Sequence, residues 1–374
     1  MSVFLFMENE KLVESTVFTP EKSHYETINL LEKEDAFLNI LKLFSPGTSL
    51  RTAVDDMVRA KMGALIVVDK EGLSNAFEGG FRVNCKFSAQ RLVELAKMDG
   101  AIILSNDLKK IFYANTLLVP SAGIKTKETG TRHKAAERIS KQFGAIVIAV
   151  SERKNKTTVY WGNEKHVLEK SEEILRRATE TLQILEKQKE SFNDLLLHLN
   201  VLEITNLSNT RDVCEVLQRT EMIKRVSEIV RRCLVELGKE GIIISMRLKE
   251  LTRDFYREVD MILEDYFGLG SARVEELLES MNFDFLLETS NVSRMIFEDI
   301  HDKEISPRGI RILSKTDLLP KDMDTLIGKF GRLDQIFDLG REDLMSVFNN
   351  ESFINSLIMD LRDLREKILA GKKV

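Results

Sequence analysis

The sequence predicts an α/β N-terminal domain with a mixed sheet flanked by helices, then an all-α helical spine and a small C-terminal helical module. Three observations carry this. Short continuous apolar runs (Ala64 to Val68, Ala101 to Leu104, Ala145 to Val150) alternate with amphipathic stretches over the first 165 residues. From residue 166 to about 300 proline is absent and glycine does not occur before Gly238, while Leu, Ile, Glu, Lys and Arg recur at helical spacing. From Ser306 onward, proline and glycine punctuate short apolar clusters.

Residues 1–28 are read as a Glu- and Lys-rich N-terminal extension of poor order. The α/β domain spans 29–165. Leu30 to Phe44 has helical spacing and stops before Pro46-Gly47; Ser49 to Lys61 is a second amphipathic helix. Ala64 to Val68 is a buried strand, Ser88 caps a helix through Lys97, and Ala101 to Leu104 is another buried strand. Ile111 to Val119 is strand-like, Thr131 to Phe143 helical, and Ala145 to Val150 forms a hairpin with Thr157 to Trp161. Residues 166–300 form the spine, whose charge runs are solvated faces. In the module at 301–374, Ile310 to Leu313 and Leu326 to Phe330 are helical, with turns at Pro307-Arg308-Gly309, Leu318-Leu319-Pro320 and Gly331.

Composition narrows the function classes. The chain has 374 residues, enough for two or three domains, and a net charge of −5, so it is not a polycation and any nucleic-acid contact must come from a local patch. Cys85, Cys214 and Cys233 lie far apart with no C-x-x-C spacing, which argues for a reducing compartment and against a disulfide framework or zinc site. The apolar runs are too short to span a bilayer, and Met1 to Met7 lacks the basic lead of a signal peptide. A cytoplasmic location is expected, with no membrane partner. His24, His166, His198 and His301 have no carboxylate or cysteine at metal-ligand spacing, and Trp161 is a core or interface residue.

Two segments carry chemistry. Met98-Asp99-Gly100-Ala101 puts a carboxylate on the turn entering a buried strand. Gly130-Thr131-Arg132-His133-Lys134 puts a hydroxyl, a guanidinium, an imidazole and an amine into the first turn of a helix. A carboxylate can hold a divalent cation or a hydroxyl, and a basic helix N-terminus can hold phosphate oxygens. Taken singly, Asp99 reads as a turn aspartate, and Thr131 as an N-cap among surface charges. Glu137 and Arg138, one turn further along, read as an internal ion pair or a support for the site. Val150-Ser151-Glu152 is no nucleophile elbow.

The pair of segments resembles the signature of the diadenylate cyclase family. The flanking text extends the resemblance: Phe44-Ser45-Pro46-Gly47-Thr48, Leu50-Arg51, Gly79-Gly80-Phe81, Tyr113-Ala114-Asn115, Leu118-Val119-Pro120 and Ile148-Ala149-Val150-Ser151. It runs from about residue 30 to the end. It implies that two ATP molecules condense to cyclic di-AMP and two pyrophosphates, assisted by Mg²⁺ or Mn²⁺. Asp99 would bind the metal and orient or deprotonate the ribose 3′-hydroxyl, and Gly100 would allow close approach of the nucleotide. Thr131, Arg132, His133 and Ser151 would hold phosphate oxygens, and Leu118 with its neighbours would wall the adenine. The family pattern is Arg-His-Arg; Lys134 keeps the charge but not the two-pronged donor.

By the same resemblance, 301–374 looks like a helix-hairpin-helix DNA-binding domain, the assembly is an octamer, and branched DNA suppresses synthesis. The second hairpin departs from the pattern. Phe348-Asn349-Asn350-Glu351-Ser352 stands where a Gly-hydrophobic-Gly turn is expected, and the module carries equal numbers of basic and acidic side chains. Phosphate contact needs positive charge. Two alternatives therefore stay open: a nucleotide or DNA-structure sensor with little catalysis, and a cyclase that has lost DNA sensing.

Overall fold

The computed structural model describes residues 36–298 and 302–373. The readings made for residues 1–28, for Leu30 to Asp35 and for His24 and His301 lie outside the described residues. The chain forms two compact units, one ending at Leu168 and one beginning at Glu169.

In the first unit, α1 (residues 36–41) tightens into the turn Lys42–Phe44 before Pro46-Gly47. Thr48 caps α2 (Ser49–Arg59), its hydroxyl accepting from the Arg51 amide at 3.2 Å. Then follow β1 (Ala64–Val68), β2 (Phe77–Glu78), β3 (Phe81–Lys86), α3 (Ala89–Ala96), β4 (Ala101–Leu104), β5 (Lys110–Leu118), α4 (Thr131–Phe143), β6 (Ile146–Ser151), β7 (Lys156–Trp161) and β8 (Glu164–Leu168). The sheet order is β2-β5-β4-β1-β6-β7-β8, with β3 also paired to β5. Only β1 and β4 run parallel, so the sheet is mixed as expected.

The period-two alternation of the strands builds two cores. Ile66, Ile102, Leu104, Ile148 and Val159 face α2 and α3 through Ala53, Met57 and Leu92. Leu65, Val67, Ile103, Val147 and Ala149 face α4 through Ala136 and Ile139. Three strands escaped the sequence reading. β3 and β8 place mostly exposed polar residues such as Arg82, Asn84, Glu164 and Lys165 among few apolar ones, the mark of strands wet on one face; β2 is two residues long. Trp161 is half-buried and stacks on Phe37 at 6.1 Å between ring centroids.

The second unit is helical. A hairpin of α5 (Ser171–Ile204) and α6 (Thr210–Leu237) forms its axis, α5 being about 50 Å long at 1.5 Å per residue. Asn209 and Asp212 cap α6 reciprocally. Around it lie α7 (Ile242–Thr252), α8 (Phe255–Phe267), α9 (Ser271–Ser280), α10 (Phe283–Leu286) and α11 (Thr289–Phe297). Then come α12 (Ile310–Leu313), α13 (Pro320–Phe330), α14 (Leu333–Phe337), α15 (Arg341–Met345) and α16 (Glu351–Leu369). The last five helices share their core with the end of α5, since Ile204 packs with Leu313, Leu326 and Leu357. A buried polar knot fastens α12 here: Arg311 bonds Glu203 at 2.5 Å and Asn200, while Asp265 accepts from the Ile310 and Arg311 amides at 2.6 and 3.1 Å. No described helix is long and apolar enough to cross a membrane.

Candidate nucleotide site

Strand register assembles the site. Leu65 of β1 stands opposite Ala101 of β4, so Gly63 and Asp99, two residues earlier on each, lie side by side at one edge of the sheet. Ala64 opposes Val150 of β6, which brings Ser151 and Glu152 to the same edge. β5 runs antiparallel to β4 with Thr116 opposite Ala101, so Leu118 also ends there. α4 begins over this edge and completes the cluster.

Arg132 is its hinge. Its Nη2 donates to Asp99 Oδ1 at 3.2 Å, with the Asp99 side chain 99% exposed and that of Arg132 39% exposed. A pair this wet adds little stability, so it orients groups rather than holding the fold. The guanidinium lies across Gly63: a Cβ there would overlap Nη1 and stand 3.3 Å from Cζ, with Glu152 Cβ 3.7 Å away. Gly63 and Glu152 were missed from sequence, because nothing but strand register brings them beneath Arg132. Gly100 has φ +95°, and a Cβ on it would strike the backbone of Asn115 and Thr116 at 2.8 and 2.9 Å. Close packing against β5 therefore requires this glycine without any nucleotide.

The N-cap of α4 is Gly130, not Thr131, which is the first helical residue. The first backbone bond of the helix runs from Lys134 N to Gly130 O at 2.8 Å, leaving the amides of Thr131, Arg132 and His133 without helical acceptors. Thr131 and Lys134 are exposed; Arg132 and His133 are half-buried. Ser151 Oγ accepts from the Lys154 amide at 3.3 Å, closing the β6–β7 turn. Leu118 is half-buried against the α4-side core, and its neighbours Leu117 and Val119 are exposed.

The approach to α4 is strapped down. Arg138 donates to Ile124 O at 3.0 Å, and the Ser121 amide donates to Gln142 at 2.9 Å. Glu137 accepts from Lys141 at 2.6 Å and from Thr126, so Glu137 and Arg138 are two separate anchors on the loop. Behind His133 lies a second polar cluster. Tyr160 donates to Glu128 at 3.0 Å, Lys165 pairs with Glu128, and the Tyr160 ring stands edge-on to His133 at 6.4 Å. Burial pushes the His133 imidazole below its ordinary value, partly offset by the charge of Glu128. Burial would raise Glu128, but bonds from Lys165 and Tyr160 hold it below the ordinary carboxylate value.

No group of three or more His, Cys, Asp or Glu side chains among the described residues could hold a metal. Asp99 offers a solvent-facing carboxylate, which suits a hydrated Mg²⁺ or Mn²⁺ arriving with nucleotide phosphates.

Comparison with known proteins places the chain in a family. Residues 51–165 match the model of the DisA bacterial checkpoint controller nucleotide-binding domain, and residues 168–301 match that of the DisA bacterial checkpoint controller linker region. The chain is 41% identical over 352 residues to the DNA integrity scanning protein DisA of Acetivibrio thermocellus, covering 91% of this chain and 98% of that protein. Proteins of the same name are 41% identical in Clostridium kluyveri (92% and 99% covered) and 41% identical in Clostridioides difficile (85% and 92% covered).

Proposed function

This chain belongs to the DisA family of DNA integrity scanning proteins and is a diadenylate cyclase, and we propose that the edge of the sheet around Asp99 and Arg132 is where it joins two ATP molecules. The observation that carries this is the Arg132–Asp99 contact at 3.2 Å. It sets a carboxylate against a basic helix N-terminus with free amides.

In this reading the α4 amides, Thr131, Arg132, His133, Lys134 and Ser151 hold the triphosphate, and Leu118 lines the adenine. Gly100 keeps β4 tight against β5 and the edge open. Asp99 orients the ribose 3′-hydroxyl and accepts its proton. That oxygen attacks the α-phosphorus of the second ATP, a new P–O bond forms, and the bond to pyrophosphate breaks. A reciprocal step closes the ring and releases the second pyrophosphate. Asp99 would hold the Mg²⁺ or Mn²⁺, which supplies charge neutralisation at the phosphates. Lys134 acts as a point charge.

One protomer presents one nucleotide, so chemistry needs two such edges face to face. The exposed Leu117 and Val119 beside the site support pairing, and exposed Ile242, Ile243 and Met246 on α7 support further assembly, for which we propose the family octamer. We assign 301–374 to a helix-hairpin-helix module that reads branched DNA, preceded by the helical linker at 166–300. The first hairpin, in which α12 and α13 are joined through Leu318-Leu319-Pro320, is the proposed contact. In the second, Asn350 Oδ1 already accepts from the Ser352 and Phe353 amides at 3.1 and 3.3 Å, and Glu351 pairs with Arg341, so those two amides are engaged and a carboxylate stands beside them. The free thiols Cys85, Cys214 and Cys233 support a cytoplasmic setting.

The test is incubation of the purified protein with ATP and Mn²⁺ or Mg²⁺, with the product identified by mass. Cyclic di-AMP formation, suppressed by a Holliday junction, is expected. ATP binding without pyrophosphate release would refute the catalytic assignment of this edge, and turnover indifferent to branched DNA would refute the sensing role.

A further inference from the structure

Within the second unit, α5, α7, α8 and α12 enclose a cavity of about 600 Å³, the size of a nucleotide pocket. Six basic side chains line it: Lys189, Arg247, Arg257, Arg311, Lys315 and Lys373. Three carboxylates line it too: Glu250, Asp254 and Glu258. The pairings leave an imbalance. Arg247 is taken by Glu186 and Glu250 at 2.8 Å, Lys315 by Glu258, and Arg311 by Glu203. Lys189, Arg257 and Lys373 have no ion-pair partner among the described residues; Asp254 and the Lys315-bound Glu258 are the carboxylates that act on Lys189 from within the cavity.

Two further observations describe the setting of these cations. Lys189 Nζ sits 4.7 and 4.8 Å from the Phe192 and Phe255 ring centroids, half-buried over two aromatic faces. Burial, and then the nearby Lys373 charge, lower its ammonium to about 8. Arg311 is 98% buried, and its Nε has no hydrogen-bond partner among the described residues. Unsatisfied buried donors are rare because each forfeits its hydration.

We propose that this cavity binds a phosphate-bearing small molecule, with Lys189, Arg257 and Lys373 as its charge partners. Guanidinium and ammonium donors converging in a half-enclosed space are what a multiply charged phosphate requires. The apolar wall of Leu196 and Leu251 leaves room for a group beyond the phosphate. The site lies wholly in the helical unit, so it stands or falls independently of the cyclase assignment. A ligand there would bear on α12 through Arg311 and Ile312, at the entrance to the last five helices.

The test uses the full chain, with inorganic pyrophosphate and ADP as separate probes, read by hydrogen exchange and by calorimetry. Protection of residues 189–200 and 247–258 is expected, alongside any protection near Asp99 and α4. Arg257→Glu with Lys373→Glu, both exposed in the fold, should weaken that binding at least about tenfold while helicity by circular dichroism is unchanged. Protection by pyrophosphate alone would assign free phosphate as the ligand, and by ADP alone a nucleotide. Protection confined to residues near Asp99 and α4, or binding to the helical unit unaltered in the double variant, would overturn the proposal.

Discussion

Gly63→Ala isolates what the Arg132–Asp99 contact does. Gly63 has an ordinary negative φ, so alanine meets no backbone strain and reduces the freedom of the unfolded chain. The added Cβ overlaps Arg132 Nη1 and stands 3.3 Å from Cζ, with Glu152 Cβ 3.7 Å away on the other side. Ordinary contact needs about 3.5 Å or more, so the guanidinium must retreat by roughly 1 Å. That breaks the 3.2 Å contact to Asp99. A misplacement of about 1 Å at a positioning group costs up to roughly 100-fold in rate. Cyclic di-AMP formation should therefore fall about 10- to 100-fold while the melting temperature stays within a degree or two of the wild type. Gly63→Ala with normal turnover would refute the positioning role. A large loss of stability would show that the side chain cannot swing aside.

Further outcomes are expected. Asp99→Asn abolishes product by mass analysis yet preserves assembly by light scattering, because the side chain is 99% exposed and holds no core contact. Lys134→Arg maintains or raises turnover, and a large loss would mean the site has adapted to lysine. Arg311→Met strands the fully buried Glu203 carboxylate and lowers the stability of the helical unit by about 3–5 kcal/mol in denaturant melts followed by circular dichroism. Asp265, raised to about 6 by burial and by the charge of Glu203, against the pull of Arg311, binds more protons folded than unfolded between about pH 4 and 6. Its contribution is therefore greatest below that window and is lost as pH rises through it. Relative to Asp265→Asn, the wild type should gain roughly 2 kcal/mol on going from pH 7 to 4.5. A pH-independent difference would exclude titration of this carboxylate.

The buried strands β1, β4 and β6 and the helix α4 were legible because continuous apolar runs and amphipathic spacing depend on local sequence alone. The same holds for Asp99 and for Arg132 to Lys134, whose residue types declare their chemistry. Gly63 and Glu152 were not legible, since only the register of three strands brings them under Arg132. The role of Thr131 as an N-cap failed because Gly130 already supplies the extended residue before the helix. Of the two readings open for Glu137 and Arg138, an internal ion pair or a support, the fold has each bond the loop before α4, and loop courses are not encoded by helical periodicity. Gly100 was assigned to nucleotide approach, whereas its positive φ and the adjacent β5 backbone are sufficient to demand it. Where the second hairpin lacks glycine, Asn350 caps α16 and engages the Ser352 and Phe353 amides.

The knot of Arg311, Glu203, Asp265 and Asn200 also constrains how such a sequence can drift. Loss of Arg311 or of Glu203 alone passes through a buried, uncompensated charge, so the accessible routes change both together or replace the group by apolar residues of similar volume. Across related sequences, positions 203 and 311 should therefore be inherited as one character, varying jointly while the exposed residues of α5, α8 and α12 vary freely around them.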